Sequence, residues 1–266
     1  MFAKLLKYEW KSNAGLFGIL SAAVLGISAL GGLILRMLIH HGEELDGIAA
    51  FGLSSLLFFV FLSLIGYSVA VWVLLLVRFY KNKFTDEGYL TFTLPVTSHE
   101  IVLSSVVNMI LWSLISVLVL IASGSLIFWI ADFGVIPEEI KEIFALVFED
   151  VGAIFPDGYW VLTAIATVVS GIGSIIIPIT CLTLGATLAK KHKILAAFGV
   201  YYGLSVAIGV VESVLTVAVS IGTLMSGDEM TLMYTTSLTT ILLQLGLAVG
   251  GYFLTTHLMK NSLNLN

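Results

Sequence analysis

Six long apolar runs constrain this 266-residue chain more than any other feature: about 14–35, 50–77, 101–131, 159–189, 194–212 and 233–256. A helix crossing a ~30 Å hydrocarbon core needs roughly 20 apolar residues, and each run is close to that length or beyond it. Lipid offers the backbone no hydrogen-bonding partner, so each run is predicted to be a helix whatever its periodicity. None shows the in/out alternation of a membrane β-barrel. The predicted fold class is therefore all-α integral membrane, with residues 1–266 forming one transmembrane domain.

Composition agrees. Hydrophobic residues make up 59% of the chain and charged ones 11%, against about 45–50% and about 25% in soluble domains. Too little polar surface is left for a soluble enzyme, a nucleic-acid-binding domain or a disordered linker. The net charge of −5 argues separately against nucleic acid. The single cysteine, Cys181, lies in an apolar run and offers neither a disulfide framework nor a thiolate metal site. The first run is too long for a signal-peptide core and no small-residue cleavage site follows it, so it is expected to stay in the mature protein.

Orientation follows from the basic residues. Lys4, Lys7 and Lys11 precede the first span, Arg78, Lys81 and Lys83 follow the second, Lys190, Lys191 and Lys193 follow the fourth, and Lys260 follows the sixth. Ten of the twelve basic residues thus fall on one side, with only Arg36 and Lys141 on the other. Acidic residues such as Glu43, Asp46, Glu138, Asp157 and Asp228 mirror them. Both termini are expected to be cytoplasmic.

Four segments lie outside simple spans. Residues 1–13 place Phe2, Leu5, Leu6 and Trp10 on one helical arc and Lys4, Lys7 and Lys11 on the opposite one, the pattern of an amphipathic helix lying in the membrane interface. Glu9 falls inside the apolar arc; it faces a protein partner, pairs with a loop cation such as Arg78, or snorkels into headgroups. Between spans two and three, Thr85 or Asp86 can cap a short helix that Pro95 stops, and Thr97 with Glu100 has capping-box spacing for span three. That short helix, about residues 85–94, combines Asp86 and Glu87 with Gly88, Tyr89, Leu90, Phe92 and Leu94. So many large apolar groups need a cover, which is either the inner leaflet or a docked cytoplasmic protein. Residues 136–155 read as an external helix, opened by Pro137 with Ile136, Ile140, Ile143, Phe144 and Val147 at helical spacing. The apolar stretch that holds the fifth run continues to 225 and is too long for one span, so a helix ending near Glu212 and a short re-entrant or surface helix over 213–225 are expected.

Ionisable residues at membrane depth are functional candidates by default, although Glu212 is expected at the outer boundary. Tyr201, Tyr202, Thr180 and Thr183 could join it along a polar path. Gly199 with Gly203, and Gly246 with Gly250, have the spacing of close helix packing, and Pro178 is expected to kink its helix.

The chain has no GxxxxGK[ST] phosphate loop, so it does not hydrolyse ATP by itself. It has no HExxH zinc site. Its five histidines, His40, His41, His99, His192 and His257, stand at span ends or in loops, where none can activate an intramembrane serine. The run from His40 to Asp46 reads as a solvated acidic loop rather than a metal site. No catalytic residue, metal or cofactor is assigned to this chain. A chain without an engine that shows an apolar, acidic segment to the cytoplasm points to a partner that supplies energy. A secondary carrier, a channel or a non-transporting sensor is the alternative, and Glu212 in a polar setting at the midplane would favour a carrier.

Two motifs, Lys-Leu-Leu-Lys-Tyr-Glu-Trp at 4–10 and Phe-Thr-Asp-Glu-Gly-Tyr-Leu-Thr-Phe-Thr-Leu-Pro at 84–95, together with the span pattern, resemble the permease subunit of an ABC transporter of the ABC-2 (type V exporter) group. More narrowly, the chain resembles six-span permeases of Firmicutes that serve in peptide or lantibiotic export and immunity. The resemblance implies an N-terminal interfacial helix, a coupling helix between spans two and three, and a re-entrant external element between spans five and six. It also implies a complex of two six-span subunits with two ATPase subunits that carry ATP and Mg. Asp86, Glu87, Gly88, Tyr89, Leu90 and Phe92 would then be docking contacts, with Glu9 near them. The external acidic segment, 132–158, is longer than the compact form of the family.

Overall fold

The computed structural model describes residues 2–41, 46–85, 88, 96–131, 158–189, 192–226 and 229–261. Six helices make up this part: α1 (Phe2–His41), α2 (Gly47–Phe84), α3 (Ser98–Ile130), α4 (Tyr159–Leu188), α5 (Lys193–Ser226) and α6 (Glu229–Asn261). No strand occurs among the described residues. Every one of the six is long and apolar enough to cross a membrane. The chain is a multi-pass membrane protein.

The helices run beyond the apolar stretches that announced them. α1 has 40 residues, so the amphipathic segment expected as a separate interfacial helix is instead the first part of α1. No proline interrupts residues 11–16, and one Gly inside a helix costs only about 1 kcal/mol. Trp10 and Phe17, on either side of the expected break, both pack on Trp112 of α3, with ring centroids 4.8 and 4.9 Å away. The two-sided pattern survives within the longer helix: Lys4, Lys7 and Lys11 are exposed while Phe2, Leu5 and Leu6 are half-buried.

α5 departs from expectation in the same way. It continues without a break from Lys193 to Ser226, and no separate re-entrant helix begins after Glu212. Glu is a good helix former, and the residues that follow keep the helix polar groups bonded. Ser213, Thr216 and Ser220 hydroxyls donate to the carbonyls of Gly209, Glu212 and Thr216, at 2.7, 2.8 and 2.7 Å. The external helix expected over 136–155 lies outside the described residues.

The chain divides into two compact units. One holds α1, α2 up to Val77, and α3 from Val107. In it Ser21 and Tyr67 share a hydrogen bond of 2.9 Å, and Gly31 lets α1 close on Val60, so α1 and α2 run antiparallel. Gly32 meets Ile127 and Ile130 of α3; with the Phe17–Trp112 contact this makes α1 and α3 parallel. Phe17, Val24 and Ser28 form the buried stripe of α1.

The other unit holds Arg78–Val106 and the described residues from Gly158 onward. α3 begins inside it with the reciprocal bonds of a capping box. The Thr97 N–H donates to Glu100 Oε2 at 3.1 Å, and the Glu100 N–H donates to Thr97 Oγ1 at 3.3 Å. Gly158, at φ 86°, opens α4 with a left-handed turn that residues bearing a Cβ rarely adopt. α4 packs against both α5 and α6 and buries Ile175, Ile176, Pro178, Ile179, Cys181 and Gly185. Near the lysine-rich end, a Cβ on Gly185 would overlap the backbone of Ala197, so α4 and α5 touch there main chain to main chain. α4 and α6 are parallel, since the pairs Tyr159–Ser237, Gly173–Gln244 and Thr180–Thr255 advance together along both.

Candidate functional site

Three helices meet at a polar group near their middles. Glu212 lies near the centre of the 34-residue α5, Gln244 near the centre of the 33-residue α6, and Gly173 near the centre of the 30-residue α4. Gln244 Nε2 donates to Glu212 Oε1 at 3.2 Å. Gly173 is buried and makes room for the same amide, because a Cβ there would come within 2.9 Å of Gln244 Oε1. Glu212 and Gln244 are both half-buried. Among the described residues no cation bonds the carboxylate, and Oε2 accepts no hydrogen bond. Sequence length alone puts Glu212 at the outer end of a span; it stands mid-helix because α5 runs on to Ser226.

Polar pairs continue along the α4–α6 seam on both sides of this level. Toward the helix starts, Ser237 Oγ donates to the Tyr159 hydroxyl at 3.4 Å, and Tyr159 meets Tyr234 edge to face at 5.9 Å. Toward the lysine-rich end, Thr255 Oγ1 donates to Thr180 Oγ1 at 3.0 Å, and Thr180 in turn donates to the Ile176 carbonyl at 2.9 Å. His99 at the start of α3 and Tyr252 of α6 come within 3.4 Å, Nδ1 to hydroxyl.

The residues expected to line a path are thus only partly brought together. Thr180 and Thr183 are buried packing residues, the Thr183 hydroxyl bonding the Ile179 carbonyl at 2.9 Å, so neither opens onto a channel among the described residues. A threonine in a span can satisfy its own helix, and these two do. Tyr202 is 69% exposed, about 80° around α5 from Glu212 at ~100° per residue. Tyr201 is half-buried.

Of the expected docking residues, Asp86, Glu87, Tyr89, Leu90 and Phe92 lie outside the described residues. Gly88 is described and buried. Its N–H donates to the Thr85 carbonyl at 2.7 Å, and any side chain on it would collide with the Lys83 carbonyl. Thr85 does not cap a new helix with its hydroxyl, which bonds back to the Lys81 carbonyl at the end of α2. Lys83, which follows the second apolar run, lies in the last turn of α2 and is only 3% exposed. Glu9 belongs to the other unit, half-buried one position before Trp10.

Two glycine pairs meet no described neighbour within this chain. Among the described residues no atom lies within 4 Å of a Cβ built on Gly199, Gly203, Gly246 or Gly250, whereas Gly173, Gly185 and Gly251 are filled by neighbouring helices. One residue, about 100° of helix, separates open Gly250 from filled Gly251. Gln244 is the residue that sequence reasoning misses; its signal is a lone amide inside the apolar stretch 241–251.

Comparisons with protein-family models, with curated proteins and with solved structures found no match.

Proposed function

We propose that this chain is the membrane-spanning subunit of an ATP-driven exporter. It forms the translocation pathway, has both termini in the cytoplasm, and couples to a separate cytoplasmic ATPase, with a second six-span subunit completing the complex. The observation that carries this reading is the connection on the lysine-rich side. α2 ends at Phe84 and α3 starts at Ser98, and between them stands an acidic and aromatic segment with Asp86, Glu87, Tyr89, Leu90 and Phe92. A partner supplies what the chain lacks, since its sequence has no phosphate-binding loop. Amphipathic molecules, antimicrobial peptides among them, suit a pathway walled by apolar helices.

The test is a mild-detergent pull-down of the tagged chain from its native membranes, with the eluate assayed for ATP hydrolysis. Wild type is expected to bring down an ATPase subunit. Asp86→Lys with Glu87→Lys is expected to lose it while still inserting in the membrane. Wild type eluting alone and inert in several detergents would overturn the reading.

A second reading is favoured by one observation, the mid-helix position of Glu212. Centring the apolar stretches of α4, α5 and α6 on the bilayer puts this carboxylate within about one helical turn of the midplane, a place where charged side chains cost about 3 kcal/mol and mark ion or substrate pathways. That suits a carrier driven by an ion gradient. Transport by the purified chain alone in vesicles, driven by a gradient and lost in Glu212→Gln, would put this reading first.

A further inference from the structure

We infer that Glu212, with one oxygen held by Gln244, recognises the positive charge of an amphipathic organic cation. The inference rests on the transport part of the proposed function and names the class of molecule carried. Gln244 fixes Oε1, while Oε2 accepts no hydrogen bond among the described residues. Among the described residues of α4, α5 and α6 no counter-charge is near. α4 has no basic residue; α5 has only Lys193, about 28 Å along the helix from Glu212; and α6 has His257 and Lys260, about 20 Å or more along the helix from Gln244. Within these three helices the carboxylate has no described partner of opposite sign, and a ligand can supply one.

The donor set argues against a metal ion. Calcium and magnesium take six or more oxygens. Here Gln244 turns its N–H₂ toward the carboxylate, and the neighbouring hydroxyls of Ser213 and Thr216 are committed to their own helix. No group of three His, Cys, Asp or Glu side chains occurs among the described residues. The surroundings suit an apolar body instead. Val211 and Leu215 are exposed beside Glu212, and among the described residues nothing lies within 4 Å of a Cβ built on Gly209, one turn earlier. A weakly hydrated ammonium or phosphonium gives up little water on entering such a place, unlike a small metal ion.

The test uses the full chain, with whatever ATPase accompanies it, in lipid nanodiscs. Binding of tetraphenylphosphonium is measured by equilibrium dialysis, with uncharged triphenylphosphine oxide as competitor. Wild type is expected to bind the cation saturably, to lose it to rhodamine 6G, and to keep it against the uncharged competitor. Glu212→Gln, nearly identical in shape, is expected to weaken binding about tenfold or more, while Trp160→Phe, near the start of α4, leaves it unchanged. Equal binding by Glu212→Gln, an absence of saturable binding, or displacement by the uncharged competitor would each overturn the inference. Should Glu212→Gln fail to fold, the two competitors on wild type decide alone. ATPase co-purification is scored on the same samples: if it is absent while cation binding depends on Glu212, the exporter reading fails and this inference stands. If an ATPase binds and no cation site is found, the inference fails and the exporter reading stands.

Discussion

Gln244 donates its amide to Glu212 over 3.2 Å and so joins the middle of α6 to the middle of α5. Interhelical hydrogen bonds inside membranes contribute roughly 0.6–2 kcal/mol. Gln244→Leu is therefore expected to destabilise the three-helix unit by about 1–2 kcal/mol, read as a lower midpoint in thermal or SDS unfolding. Glu212→Gln keeps an amide–amide bond and is expected to cost less. Equal midpoints for wild type and Gln244→Leu would show that the bond carries no stability.

Gly185 and Gly173 make a contrasting pair. The wall facing Gly185 is the Ala197 backbone, which cannot step aside, while the wall facing Gly173 is the end of a flexible Gln side chain. Gly185→Ala is expected to push α4 and α5 apart at a cost of about 1–3 kcal/mol. Gly173→Ala is expected to be milder, with the Gln244 amide swinging away. Unfolding midpoints of the two variants check the order.

Trp10 stacks on Trp112 at 4.8 Å with ring planes 25° apart. Aromatic pairs of this kind contribute about 0.5–1.5 kcal/mol beyond their buried area. Trp10→Ala is expected to loosen the first turns of α1, seen as faster amide exchange over residues 2–13. It should also remove the near-ultraviolet circular dichroism of the pair. Exchange at the wild-type rate would mean that the interface, rather than α3, holds this segment.

Cys181 is 1% exposed and should stay unlabelled in the folded protein. It provides a silent background for cysteine mapping. Trp160→Cys, at an exposed position near the start of α4, is expected to react with a membrane-impermeant maleimide in intact cells. Lys193→Cys, at the start of α5, is expected to react only after permeabilisation. The opposite pattern would invert the proposed orientation.

Thr97 and Glu100 show how much is legible locally. Their spacing predicts a capping box, and the reciprocal bonds are present, because a cap is settled within four residues. The breaks expected at Glu212 and after Asn13 are both absent. Each is inferred from the apolar length of a span, and a helix does not stop at the lipid boundary if its backbone bonds can continue. The Gly199–Gly203 and Gly246–Gly250 pairs meet no neighbour among the described residues, for another reason. Spacing shows that a helix can be approached closely, and says nothing about which face a neighbour takes.

The sequence by itself determined that the chain is helical and membrane-embedded, since lipid leaves long apolar stretches no other way to satisfy their backbone. Its charges likewise set an orientation to be tested. Only the tertiary structure decided that Glu212 stands mid-helix beside Gln244, that Gly173 gives that amide room, and that Thr180 and Thr183 are packing residues. Those outcomes depend on the rotation and register of α4, α5 and α6 against one another. Contacts between residues more than thirty positions apart, with almost every side chain apolar, leave no local pattern from which register can be read.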